Sequence, residues 1–270
     1  MIIWISSYPK SGNTWVRSFL SYYFSNESNF SFKHLSAIKK FPRKEIFEEL
    51  DINYKNFNQI PANWIKMQKS INLSEKMIFL KTHNAMAKVN DFTFTDSKNT
   101  KGFIYLVRDP RDVLLSYASH LNKDIEDTFS IMTSDRSYEM LDVNSNIKMS
   151  LLGSWASNYK SWKNCSVANG LVIKYEDLVN DTEKNFRFIL NYLSKLNDFK
   201  LDEDRLKKSI NCTNFENLKN LELKEGFEES GSNFFFRKGK VGDWKNNLNP
   251  KIINKIEKIF KDEMLELGYL

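Results

Sequence analysis

Residues 2–15 read Ile2-Ile3-Trp4-Ile5-Ser6-Ser7-Tyr8-Pro9-Lys10-Ser11-Gly12-Asn13-Thr14-Trp15, and this stretch decides the fold. Ile2 to Ser6 is a short apolar run ending in small polar residues, the pattern of a buried strand. From Thr14 onward the apolar positions Trp15, Phe19, Tyr22 and Tyr23 recur at helical spacing and define one helix face. Ser6 to Asn13 therefore joins a strand to a helix. Such a loop aims backbone N–H groups at one point, and the helix N-terminus adds partial positive charge, which makes an anion site. Gly12 permits the tight backbone, Lys10 supplies a full charge, and Ser11 and Thr14 supply hydroxyl donors. The order G-x-x-x-x-G-K-[ST] is absent, because the lysine precedes the glycine, so this is not a Walker loop. Taken alone, the stretch is equally a glycine-containing turn beside an exposed lysine.

The strand-loop-helix unit repeats. Phe103 to Val107 is a continuous apolar strand, followed by Arg108-Asp109-Pro110 and a helix carrying Val113, Leu114 and Tyr117. Pro110 suits the first turn of that helix and Asp109 its N-cap. Met77 to Lys81 and Leu171 to Lys174 are further strand candidates. Strands alternating with helices predict an α/β fold, a P-loop-type core whose mostly parallel central sheet is flanked by helices on both faces. The length, 270 residues, suits a single domain spanning 1–270. A last helix is expected over Pro250 to Leu267, with Ile252, Ile253, Ile256, Ile259 and Phe260 on one face and Gly268 as its stop. Two stretches stand apart: the polar residues Asn122 to Asn146, and Lys219 to Gly239, which mixes acids and glycines with Phe234-Phe235-Phe236. Either suits a flap over a site or a surface connection.

The formal net charge is +6, with lysines and arginines spread along the whole chain and often beside glutamates, as on solvated helix faces. They form no aromatic-interleaved stripe, which argues against a nucleic-acid binder. No apolar run approaches about 18 residues, so no membrane insertion is expected. The start of the chain reads as a strand rather than a secretory signal. The two cysteines, Cys165 and Cys212, have neither ligand spacing nor the density of a disulfide scaffold; both are expected reduced, in a cytoplasmic protein. No Cys/His cluster suggests a metal.

Four more motifs accompany the first. Lys81-Thr82-His83 closes the Met77 strand, and a histidine at a strand end suits a general base. His34 sits in a lysine-rich stretch, which leaves His120 as the one competitor. Arg108 and Ser116 flank the start of the second helix, at the carboxyl end of a strand, where open α/β sheets place their ligands. Tyr175-Glu176-Asp177 follows the Leu171 strand. Phe236-Arg237-Lys238-Gly239-Lys240-Val241-Gly242-Asp243-Trp244-Lys245 is a basic loop with glycines at fixed offsets before Asp-Trp.

Tyr8 to Trp15 resembles the 5'-phosphosulfate loop of the cytosolic-type sulfotransferases nearly letter for letter, and the other motifs follow in that family's order as far as about Lys245. The resemblance implies 3'-phosphoadenosine 5'-phosphosulfate (PAPS) as co-substrate, adenosine 3',5'-bisphosphate (PAP) as product, and no metal. It implies that Lys10 meets the leaving oxygen while Ser11, Gly12, Asn13 and Thr14 cradle the 5'-phosphate and Trp15 packs on adenine. It further implies that Arg108, Ser116, Arg237, Lys238 and the Gly239 amide hold the 3'-phosphate and that Tyr175 touches the purine, and Thr213 and Phe215 resemble an adenine-lining pair. His83 is the implied base, aided by Lys81, for a hydroxyl or amine on a small molecule or saccharide. Asn84-Ala85 departs from the family's Leu-Pro after the histidine, which affects the acceptor wall. The rivals are an ATP-dependent P-loop kinase of a small molecule and a catalytically idle nucleotide binder. A homodimer is compatible, although no dimer motif is identifiable near the C-terminus.

Overall fold

The structure is a computed structural model that describes residues 1–73, 77–142, 145–230 and 234–270. Residues 143–144, within the polar stretch after Asn122, and 231–233, within the stretch before Gly239, lie outside the described residues.

The sheet has five parallel strands: β1 (Ile2–Ser7), β2 (Lys39–Lys40), β3 (Ile78–Thr82), β4 (Thr100–Val107) and β5 (Gly170–Lys174), in the spatial order β2-β3-β1-β4-β5. β1 lies between β3 and β4 and is buried along its whole length. Strand alternation sorts its side chains between two cores. Ile2 and Trp4 join Phe94, Phe103, Tyr105 and Trp162 on one face, and Ile3 and Ile5 join Val16, Phe19, Ile104 and Leu106 on the other. A continuous apolar run is what a parallel strand covered on both faces requires. The buried indole of Trp4 donates to Thr100 Oγ1 at 2.8 Å, so the polar edge of this residue is satisfied inside the core.

Three helices matter for the site or the core: α1 (Asn13–Tyr23), α2 (Pro110–Leu121) and α3 (Thr182–Leu196). α1 and α3 cover one face, stacking Phe19 on Phe186 with ring centroids 3.9 Å apart, and α2 covers the other. The expected cap of α2 is present: Pro110 is in its first turn and the Asp109 carboxylate accepts from the Arg111 amide at 2.9 Å.

One expectation is corrected. The C-terminal segment is not one helix but two, α4 (Pro250–Ile259) and α5 (Lys261–Leu267), which break at Phe260. Phe260 packs against Trp155 at 5.2 Å, so Ile252, Ile256 and Phe260 form the buried row, while Ile259, 50% exposed, lies off it. Gly268 does end the segment, in the left-handed conformation. The polar stretch after Asn122 holds the helix Ile125–Thr133 and a strand, Tyr138–Met140, paired antiparallel with Lys148–Leu151. Among the described residues no helix is long and apolar enough to cross a membrane.

β4 and β5 meet where Phe103 faces Gly170 across the ladder, and a Cβ built on Gly170 falls 1.9 Å from Phe103 Cζ. The ring occupies the space a side chain would need. Gly170→Val is expected to lower stability by about 1–3 kcal/mol through overpacking, read as a reduced urea midpoint at unchanged slope.

Candidate active site

The carboxyl ends of β1, β3, β4 and β5 lead directly into the motifs at Lys10, His83, Arg108 and Tyr175, so one edge of the sheet presents all four. Above this edge lies a cleft of about 1080 Å³.

Between β1 and α1 the backbone turns sharply: Lys10 has φ 65° and Gly12 φ 99°, both left-handed. Left-handed residues alternating with ordinary ones make a concave run of N–H groups, and the first amides of a helix have no intrahelical carbonyl to bond. Glycine is required at position 12 twice over, since an added Cβ would also lie 2.7 Å from Tyr175 Cδ2. Lys10 places its ammonium 3.4 Å from the Phe235 ring centroid. Burial draws its pKa down to about 7, Lys81 and Arg108 adding repulsion and Glu229 opposing it.

His83 is held by its Nδ1, which lies 2.8 Å from the Ser7 carbonyl oxygen and 3.2 Å from Ser7 Oγ. A carbonyl only accepts, so Nδ1 carries the proton and Nε2 keeps its lone pair. Burial pushes the imidazole pKa down to about 4; Glu139 opposes the shift and Lys81 strengthens it. The ring is therefore neutral at physiological pH. His120 also lines the cleft and is also held near 4 by burial, with repulsion from Lys10 and Lys81. It stacks on Tyr117, and no hydrogen bond among the described residues orients its ring. His83 has a defined tautomer and His120 does not.

Arg108 spans three of the motifs. Its Nη1 donates to the Lys10 carbonyl at 3.3 Å, its Nη2 donates to the Lys240 carbonyl at 2.9 Å, and its guanidinium lies 4.3 Å from the Tyr175 ring centroid. Ser116 lines the cleft from the next turns of α2. In the basic loop, Arg237 and Lys238 both grip Asp243, at 3.2 and 2.8 Å. Gly239 is left-handed, and a Cβ there would meet the Phe215 ring at 2.4 Å.

The remaining predicted residues divide. Gly12, Thr14, Trp15, Tyr175, Phe215, Arg237, Lys238 and Gly239 line the cleft. Asn13 also lines it, but its side-chain amide braces β1, donating to the Ile5 carbonyl at 3.0 Å and to Ser7 Oγ at 3.2 Å. The Ser11 hydroxyl is buried without a partner among the described residues, and Ser11 is not among the lining residues. Thr213 is not brought to the cleft either: it is fully buried, and its hydroxyl donates to the Ser209 carbonyl at 2.7 Å, closing a helix end. The departure at Asn84-Ala85 has a local reason. The Ala85 amide donates to the Leu151 carbonyl at 2.8 Å and Asn84 Oδ1 accepts from the Leu151 amide at 2.9 Å, bonds that Leu-Pro could not make.

One supporting residue escaped the motif reading. Asp112 accepts from the amides of Gly242 at 2.7 Å and Trp244 at 3.0 Å, and so pins the basic loop to α2. The signal was present as the second aspartate of R-D-P-R-D, yet its partners lie far along the chain. Among the described residues no group of three or more His, Cys, Asp and Glu could hold a metal.

An anion loop, a neutral imidazole and converging cations meet at one end of the parallel sheet, an arrangement suited to the transfer of an anionic group. The sulfotransferase domain family model matches residues 2–268, and the chain belongs to that family; it is a sulfotransferase. It is 23% identical to cytosolic sulfotransferase 17 of Arabidopsis thaliana, an alignment covering 98% of this chain and 75% of that protein. It is 25% identical to the amine sulfotransferase of Oryctolagus cuniculus, covering 97% and 80%. The fold matches the crystal structure of mouse sulfotransferase SULT7A1 complexed with PAP at a TM-score of 0.63, with 18% identity over 97% of this chain and 84% of that one. It matches retinol dehydratase, solved with androsterone and PAP, at 0.64, with 19% identity over 97% and 80%.

The histidines set a pH dependence. Their folded pKa values, about 4, lie below the ordinary 6.5, so between these limits the unfolded chain binds more protons. Their contribution to stability is complete above pH 6.5 and is lost as pH falls toward 4. Urea midpoints are expected to drop over that window, and the His83 and His120 ring resonances to titrate near its lower end by NMR.

Proposed function

We propose that this sulfotransferase moves the sulfuryl group of PAPS onto a hydroxyl or amine of a small acceptor, with His83 as general base and PAP as the second product. The single observation that carries the reading is the His83 tautomer. Its Nδ1 proton is committed to the Ser7 carbonyl, and the free Nε2 belongs to a ring lining the cleft that also receives Lys10.

The chemistry follows from charge and position. Sulfuryl transfer resembles phosphoryl transfer in asking the protein mainly for alignment and charge stabilisation. The acceptor oxygen or nitrogen attacks sulfur in line with the bond to the leaving oxygen, and His83 Nε2 takes the acceptor proton. Negative charge grows on the bridging oxygen, where Lys10 receives it, while Lys81 meets the sulfuryl oxygens. A multiply charged donor raises the depressed pKa of Lys10, so that the ammonium is charged when it is needed. The backbone amides of Gly12, Asn13 and Thr14, with the Thr14 hydroxyl, cradle the 5'-phosphate. Arg108, Ser116, Arg237, Lys238 and the Gly239 amide hold the 3'-phosphate, and Trp15, Tyr175 and Phe215 flank the base. No step uses a metal.

The acceptor is a small molecule, with alcohols, phenols, amines and saccharides all chemically suitable. Relatives named for flavonols and amines support this breadth, and relatives named cytosolic support a cytoplasmic enzyme.

His83→Ala is expected to reduce turnover by about 100-fold or more while leaving PAP binding by calorimetry nearly unchanged. Unchanged turnover would move the base elsewhere, first to His120. Arg108→Ala is expected to weaken PAP binding far more than AMP binding; equal weakening of both would remove Arg108 from the 3'-phosphate.

A further inference from the structure

Arg17 lies three residues beyond Thr14, on the same face of α1, and is only 3% exposed. Its Nη2 donates to the Ile38 carbonyl at 3.1 Å, and its Nη1 donates to Glu229 Oε1 at 2.6 Å. A guanidinium does not give up its proton, so burying it is costly unless an anion is at hand. Glu229 supplies that anion from the segment between the Phe215–Glu225 helix and the basic loop. Its other oxygen, Oε2, accepts from Lys81 Nζ at 2.9 Å and from the Thr14 hydroxyl at 3.3 Å. Burial alone would raise the pKa of this carboxyl, but Lys81 and Arg17 hold it far below the usual carboxylate range.

Two of the three groups around this carboxylate, Thr14 and Lys81, are those given above to the phosphosulfate. A fixed carboxylate there would repel an anionic donor, so the donor's oxygens and the Glu229 oxygens compete for the same contacts.

We infer that Glu229 is a built-in surrogate anion that marks an oxyanion seat formed by Thr14 Oγ1, Lys81 Nζ and Arg17 Nη1, and that Arg17 is a further donor-binding residue, meeting the phosphosulfate once Glu229 has been displaced. This rests on the PAPS reading. Without donor, Glu229 satisfies the buried cations. With donor, the phosphosulfate oxygens take over its partners and the carboxylate moves out to water. The Ile38 carbonyl anchors one arm of the Arg17 fork, leaving the other aimed at the seat, which a lysine could not reproduce. Apparent donor affinity is lowered by the fraction of molecules in which Glu229 is seated.

The test is calorimetric binding of PAPS, without acceptor, to the wild-type chain and to E229Q, R17K and R17A, with melting curves to establish that each is folded. E229Q is expected to bind PAPS about tenfold tighter, because the competitor has lost its charge. R17A and R17K are expected to bind about tenfold or more weaker; R17K keeps the charge and serves if R17A does not fold. Equal or weaker binding by E229Q would show that Glu229 stays in place as a fastening of its segment, and would overturn the exchange. Wild-type affinity in folded R17K or R17A would remove Arg17 from the donor site. A wild-type chain that binds no PAPS would instead overturn the donor reading itself, and this seat with it.

Discussion

Burial lowers the pKa of both Lys10 and Lys81 inside the cleft, with repulsion from Lys81 added at Lys10 and repulsion from Arg17 and Lys40 added at Lys81. Arg108 and Arg17 add two cations that cannot neutralise by losing a proton. The chain answers with carboxylates of its own: Glu229 between Arg17 and Lys81, and Asp112 beside Arg108. The excess positive charge near the anion loop leaves the site disposed toward a multiply charged ligand. Burial keeps His83 and His120 neutral, and repulsion from Lys81 at both rings and from Lys10 at His120 adds to it.

The parallel sheet is what makes this concentration of charge possible. All five strands run the same way, so four strand ends deliver four loops to one edge, and the apolar strands behind them hold those ends in register. β1 anchors two features at once. Its last residue, Ser7, orients the His83 ring through its carbonyl, and the next few residues form the anion loop. A shift of β3 against β1 would therefore break the imidazole tautomer along with the register. The basic loop, by contrast, is fastened from outside the sheet, by Asp112 to its amides and by the Arg111 guanidinium 3.8 Å from the Trp244 ring centroid.

Much of this was legible before the fold was known. Continuous apolar runs announced β1 and the ends of β3, β4 and β5, since a strand covered on both faces must be apolar throughout. The loop residues Lys10, Gly12 and Thr14, and His83 and Arg108, were identifiable because each motif lies next to a strand. The two-residue β2 was not, because Lys39-Lys40 carries no apolar pattern and pairs only because β3 offers an edge. The single C-terminal helix failed at Phe260, whose packing on Trp155 interrupts a pattern that is locally regular. Thr213 matched by its spelling, but its hydroxyl is spent on a helix end.

What the sequence determined by itself was therefore local: which segments are strands or helices, where the anion loop turns, and which side chains could ionise or donate next to a strand end. These depend on neighbours within a few residues, on periodicity, on glycine at positive φ and on capping. Tertiary structure decided which charges meet and how each is set. The Asp112 contacts with Gly242 and Trp244, the Glu229 contacts with Thr14, Arg17 and Lys81, and the depressed His83 pKa all join residues remote in the chain. Charge interactions and desolvation depend on distance and burial in space, and neither can be read from separation along a chain.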